Sequence, residues 1–347
     1  MSTVSVVLNA WVVQIVFSAL LIVGTLWLNS SLGAGLEAEA IIAVIIALIL
    51  ANRFIDPLLD VASYGEAMRS ARGQLNAIRD IFAIEPLPQT RSPQVPRDGT
   101  VDLLDVSFRY DTTQADVLKG VSLQIAPGSM TALVGASGSG KTTLVRLIAR
   151  FFDVSKGSVK IGGVDVREIS ENQLSGQISQ IFQNTYLFQG SIADNIRLGK
   201  PTASHAEVLE AARLSGVIEI IDRLPQGLDT PVGEGGTRLS GGERQRISIA
   251  RALIKDAPVL LVDEATAALD TENQTTITKT LTRLHGKCTL IVIAHQLSTV
   301  AMADQIVVLD DGKVAEQGSH DELTAKGGLY SHFLAQRQIA KGWRIAA

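Results

Sequence analysis

Hydrophobic positions along this chain follow two regimes. Residues 4–28 form a 25-residue apolar stretch interrupted only by small or amide residues such as Asn9, Gln14 and Gly24. A helix of about 20 such residues crosses a bilayer core. A secretory signal would carry a basic leader and a shorter apolar run, and neither is present. A second stretch, 36–55, has its apolar centre at Ala40–Ala51, with Glu37, Glu39, Asn52 and Arg53 near its ends, where two membrane interfaces would lie. Residues 1–52 contain no Lys or Arg, whereas Arg53, Arg69, Arg72 and Arg79 follow. This asymmetry predicts an outward-facing loop at 29–39 and a cytoplasmic location for everything after Arg53.

From Pro57 the period becomes helical. Met68, Ala71, Leu75, Ile78 and Phe82 recur at spacings of three and four, which predicts an amphipathic helix continuing the second span, with these residues as its packing face. Four of the ten prolines fall within 85–98 and mark an extended linker. Beyond it, Val101–Tyr110, Val117–Ile125 and Met130–Val134 read as strands, Lys141–Phe151 as a helix, and Val259–Val262 and Thr289–Ile293 as buried strands. Short continuous apolar strands between helices predict a mainly parallel sheet covered on both faces, with the earliest strands in a separate antiparallel patch. The expected division is a membrane region at 1–84, a linker at 85–100 and an α/β domain at 101–347.

Charge and cysteine content narrow the partners. A net charge of −4 argues against a nucleic-acid backbone as partner. The single cysteine, Cys288, excludes an intrachain disulfide, and its apolar setting Cys288–Ile293 makes it a small core residue.

The sharpest chemical signal is Gly135-Ala136-Ser137-Gly138-Ser139-Gly140-Lys141-Thr142, between a strand and a helix. This is the P-loop pattern. Its glycines let successive N–H groups turn inward around phosphate, and the helix N-terminus adds its positive end. Lys141 is placed to reach the β/γ-phosphates, with Thr142 on Mg²⁺ and Thr143 beside it in the ATP cradle. The run Val259–Val262 delivers Asp263 and Glu264 at its C-terminal end, where ligands of α/β sheets bind. Asp263 is expected to organise Mg²⁺ and Glu264 to polarise the attacking water as general base.

Leu239-Ser240-Gly241-Gly242-Glu243-Arg244-Gln245-Arg246 contains Ser-x-x-Glu, a capping box opening a helix that runs to about Ile254. The same eight residues resemble the signature motif of ABC ATPases, with Glu243 where Gln is commoner. The resemblance implies an α/β P-loop NTPase fold with an N-terminal two-helix transmembrane segment. It further implies that Ser240, Gly241 and Gly242 contact the γ-phosphate held by a partner's P-loop, two ATPs being sandwiched head to tail. Carried over position by position, Tyr110 is similar to the aromatic that stacks on adenine, and Gln183 to the residue linking Mg²⁺ to the transmembrane partner. Asp270, in Ala268-Leu269-Asp270, resembles the D-loop carboxylate. His295 resembles the histidine that senses the γ-phosphate, with Gln296 after it in place of Arg.

The segment 230–236 before the signature is similar to that of exporter-type (type IV) half-transporters. That family has six spans per half, and this sequence shows two, similar to the last two. The resemblance thus implies an ATP- and Mg²⁺-dependent translocase subunit of the inner or plasma membrane. It would pair with a second half-transporter, as homo- or heterodimer, in a lipid bilayer. For the cargo, the stretches 232–270 and 341–345 resemble half-transporters handling iron–siderophore complexes. Drug or lipid export is the alternative, and a soluble ABC ATPase uncoupled from transport is the reading from another class.

Overall fold

The computed structural model describes residues 3–32, 38–83, 85–111, 115–182, 185–263, 271–294 and 296–342. Side chains are described for these except 3–11, 13–14, 28–29, 32, 38, 40, 51–63, 271–274, 276 and 337–342. The chain divides into two units, Met1–Pro86 and Leu87–Ala347.

The first unit is a pair of helices, α1 (Thr3–Leu32) and α2 (Ala38–Phe82). Both expected spans fall on helices, and α2 joins the second span to the following amphipathic stretch in one 45-residue helix. Among the described residues, however, no helix is long and apolar enough to cross a membrane. Met68, Leu75, Ile78 and Phe82, the expected packing face of α2, are all exposed in this chain by itself.

The second unit is layered. A four-stranded antiparallel sheet has the order β2-β1-β4-β5, from β1 (Val101–Phe108), β2 (Leu118–Ile125), β4 (Lys156–Ile161) and β5 (Val164–Asp165). A six-stranded sheet has the order β10-β9-β3-β8-β7-β6. Its strands are β3 (Met130–Val134), β6 (Ile178–Ile181), β7 (Val259–Asp263), β8 (Thr289–Ile293), β9 (Gln305–Asp310) and β10 (Lys313–Gly318). All its pairings are parallel except β10 with β9. The separate antiparallel patch and the parallel sheet both match the expectation from the hydrophobic pattern.

Period-two alternation explains why these strands are apolar throughout. Leu133, Val259, Leu261, Ile291 and Ile293 point into a core shared with β1, β2, β4 and helix α3 (Lys141–Ile148). Their neighbours Ala132, Val134, Leu260, Val262, Leu290 and Val292 point into a second core on the opposite face. A strand buried on both faces has no polar position to spare. A third core gathers α5 (Ile192–Arg197), α6 (His205–Leu214) and α7 (Ile218–Ile221). Helix α8 (Gly241–Leu253) is the shared wall, with Ile249 and Ala252 in the second core and Ile247 and Ala250 in the third. Helices α4 (Glu171–Gln177), α9 (Thr271–Leu284), α10 (Leu297–Ala301), α11 (His320–Lys326) and α12 (Leu329–Gly342) complete the unit.

Two element ends differ from expectation. The first strand stops at Phe108, its last pair being with Leu118, and Arg109 N instead donates to Ser155 Oγ at 3.3 Å. Helix α3 stops at Ile148 rather than Phe151, because Arg150 adopts a left-handed φ of 53°. That turn buries the Arg150 guanidinium, which donates to Asp153 Oδ1 at 3.0 Å, Val166 O at 3.2 Å and Pro88 O at 2.6 Å.

Cys288 packs against the second core as expected. Burial, with some help from Asp256, pushes its thiol up to about 11. At pH 8 the reactive thiolate should therefore be about a hundredfold scarcer than for an ordinary cysteine. Labelling with a chromogenic disulfide reagent should be slow in the native chain and fast in denaturant; rapid native labelling would contradict this burial.

Candidate functional site

The site lies along the C-terminal edge of the parallel sheet, and strand register assembles it. Leu133 of β3 pairs with Ile293 of β8, Ile293 pairs with Asp263 of β7, and the adjacent Val262 pairs with Ile181 of β6. The P-loop, the Asp263 carboxylate and the ends of β6 and β8 thus share one edge, the ligand-binding edge of open α/β sheets. Gln183, Glu264, Asp270 and His295 lie outside the described residues. The strands that lead to Gln183, Glu264 and His295 in sequence all end at this edge.

The loop from Gly135 to Gly140 turns β3 into α3. Gly135, Gly138 and Gly140 have φ of 147°, 81° and 102°, a region costly for residues with a Cβ. Space is also restricted: a Cβ on Gly135 would stand 2.2 Å from Leu309 O, and one on Gly140 2.6 Å from Leu118 Cδ2. Lys141 folds over the loop, its Nζ donating to Ala136 O at 2.7 Å, Gly135 O at 3.1 Å and Ser139 Oγ at 3.3 Å. A nearly buried ammonium (7% exposed) is thereby held against the carbonyl oxygens of the loop. Ser137 is an exposed member of the loop and Ser139 a buried one, and Thr142 and Thr143 occupy the first turn of α3.

Beside the loop, Tyr110 sits just beyond β1. Its hydroxyl is 3.1 Å from Thr143 Oγ1, and its ring meets Phe108 and Phe152 edge-on with centroids 4.8 and 5.2 Å apart. Phe152 was not foreseen; it follows the P-loop helix with no motif around it.

Away from the loop in sequence, Ser240 caps α8. Its Oγ accepts from Glu243 N at 3.3 Å while Glu243 Oε2 accepts from Ser240 N at 2.8 Å, so the expected capping box is formed. Gly241 is exposed and Gly242 buried. Further along α8, buried Gln245 accepts from Thr185 Oγ1, and its Nε2 has no hydrogen-bond partner among the described residues. Arg251 binds the segment after β6, donating to Asn195 O at 2.9 Å, Asn195 Oδ1 at 2.9 Å and Tyr186 O at 3.1 Å. Burial lowers the pKa of this guanidinium. Gln245 and Arg251 thus join α8 to Thr185, Tyr186 and Asn195, in the segment after β6, a link that sequence spacing could not show.

Comparison with known proteins agrees with this geometry. Residues 118–267 match the ABC transporter family, and that match contains both the P-loop and the capped α8. The domain that holds them belongs to the ABC transporter family. It is 43% identical over 314 residues to the mycobactin import ATP-binding/permease protein IrtB of Mycolicibacterium thermoresistibile, covering 90% of this chain and 53% of that relative. It is 44% identical over 286 residues to the ATP-dependent lipid A-core flippase of Chromobacterium violaceum, covering 79% of this chain and 47% of the relative. A bacterial Atm1-family ABC exporter solved with ATP bound superposes with a TM-score of 0.71 at 38% identity, over 84% of this chain and 53% of that one. The chain spans about half the length of these relatives. The second unit is accordingly an ABC-type nucleotide-binding domain with an α/β P-loop NTPase fold, following two helices.

Proposed function

We propose that this chain binds and hydrolyses ATP at the P-loop edge, in a head-to-tail pair with a second half-transporter, to drive a small molecule across a membrane. The observation that carries this reading is the Lys141 ammonium over a loop built on three left-handed glycines, on the same sheet edge as Asp263. Gly135–Thr143 cradle the phosphates and Tyr110 supplies a face for adenine. The Thr142 hydroxyl and the Asp263 carboxylate are hard oxygen donors, and they suit Mg²⁺, whose other positions phosphate and water would fill. Glu264 is the proposed general base, Gln183 and His295 the sensors of Mg²⁺ and γ-phosphate, and Ser240–Gly242 with Asp270 the surface offered to the partner's ATP.

The membrane role of α1 and α2, over 1–84, rests on sequence and on relatives whose names include permease, flippase and exporter. The exposed Ile15, Leu20, Trp27, Ile42 and Ile49 fit lipid better than water. The linker is placed at 85–100 and the ATPase at 101–347, with the ATPase on the cytoplasmic side of an inner or plasma membrane. For the cargo, the mycobactin-import relatives favour an iron–siderophore complex, and the flippase relatives support lipid as the second reading.

The test is co-reconstitution with a chain supplying further spans, in vesicles loaded with ATP and Mg²⁺. ATP-dependent movement of a ferric siderophore, absent in Lys141→Ala, is expected. Movement of labelled lipid alone selects the flippase reading. ATP hydrolysis without movement of either class overturns the coupling.

A further inference from the structure

The helix end that meets the partner's nucleotide carries an acid. Glu243, on the first turn of α8, supplies its Oε2 to the capping box at 2.8 Å from Ser240 N. A neutral glutamine would cap the same N–H through its carbonyl oxygen. The negative charge is therefore surplus to the cap, and it opposes an incoming phosphate, since anion binding at a helix N-terminus relies on the positive end of the helix dipole.

The other carboxylate oxygen shows how the charge is managed. Glu243 Oε1 accepts from Arg223 Nη2 at 3.3 Å. Arg223 follows α7 and is braced on it, its Nε donating to Glu219 O at 2.9 Å. One turn along, the same two elements pair again in the opposite sense, with Arg246 of α8 donating to Glu219 Oε2 at 2.5 Å and to Gly216 O at 3.1 Å. The α7 segment thus presents Glu219 then Arg223, and α8 presents Glu243 then Arg246. Glu219–Arg246 lies along the flank of α8, while Arg223–Glu243 lies at its phosphate-facing end.

We propose that Arg223 is a positioning residue for the signature end: it neutralises Glu243, so that the α8 N-terminus keeps its attraction for the γ-phosphate on the partner chain. This rests on the two-chain ATP sandwich of the proposed function. Arg223 touches no nucleotide itself; it acts through Glu243.

The experiment measures ATP hydrolysis against ATP concentration for the full chain in lipid nanodiscs, with sedimentation of the same samples. The chains compared are the unchanged one, Arg223→Ala, Glu243→Gln, the double variant and Arg223→Lys. Arg223→Ala should raise the half-saturating ATP concentration by about three- to fivefold, the scale of an exposed ion pair, with little change in maximal turnover. In the Glu243→Gln background, adding Arg223→Ala should change the half-saturating ATP concentration by less than about twofold, since without the acid there is nothing to neutralise. Arg223→Lys should keep most of the effect of arginine, and the Arg223→Ala defect should shrink at high salt. An unchanged half-saturation in Arg223→Ala, with ATP-driven dimers still formed, overturns the role of Arg223 alone. So does an equal loss when Arg223→Ala is combined with Glu243→Gln, which would mean that Arg223 only braces α7. Hydrolysis by monomers, independent of chain concentration, overturns the sandwich and this inference together.

Discussion

Glu264→Gln keeps ATP binding and lowers steady-state hydrolysis by about 10²–10⁴-fold, the range that a positioned general base contributes. Asp263 ends β7 on the same sheet edge as the P-loop, its register fixed by the pairing with Ile293, and Glu264 is the next residue in the chain. The isosteric amide removes the proton acceptor and leaves the phosphate cradle and the Mg²⁺ donors in place. The variant should therefore accumulate ATP-bound dimers that the unchanged chain passes through quickly. Phosphate release and nucleotide binding by filtration separate the two effects. Turnover within about twofold of the unchanged chain would remove Glu264 from the reaction.

Gly135→Ala is expected to be strongly damaging to both the fold and the phosphate loop. Its Cβ would stand 2.2 Å from the Leu309 carbonyl oxygen and 2.9 Å from Ser139 Oγ, at a φ of 147°. Relief would have to come from the backbone of β9, a strand inside the six-stranded sheet, or from the loop itself. Strain of this kind costs about 1–3 kcal/mol for the dihedral and a similar amount for overpacking. A combined loss of about 2–5 kcal/mol should lower the unfolding midpoint, and a displaced loop should abolish the thermal shift given by ATP. Gly138→Ala is the natural control, because a Cβ there meets nothing within 4 Å while φ is still 81°. It should show the dihedral cost alone. Equal stability of Gly135→Ala and Gly138→Ala would show that β9 yields freely, against this account.

Much of the second unit was legible because its signals are local. The alternation of Leu260, Leu261 and Val262 between two cores needs only a strand buried on both faces. Ser240 and Glu243 announce their capping box three residues apart. Strands β4, β5, β6 and β10 escaped notice because they are short or half-polar: β10 reads Lys-Val-Ala-Glu-Gln-Gly and lies at a sheet edge. Strand β9, with Ile306–Leu309 buried in a row, is as apolar as the strands that were read and carries no motif beside it. The exposed stripe on α2 shows what periodicity leaves open, since it identifies a face without saying what covers it.

The sequence by itself supplied the chemistry proposed for this protein. Glycines at fixed offsets, a lysine and threonine opening a helix, and paired carboxylates after an apolar run are each read as a proposed phosphate, metal or water-activating group through covalent neighbourhood alone. Tertiary structure decided what no spacing contains. Sheet register put the end of β6, Asp263 and the P-loop on one edge although they are up to 128 residues apart along the chain from Gly135 to Asp263. Packing placed Phe152 against Tyr110 and Arg223 against Glu243. Such contacts depend on how helices and sheets dock, and docking follows from the summed burial of three cores rather than from any short run of residues.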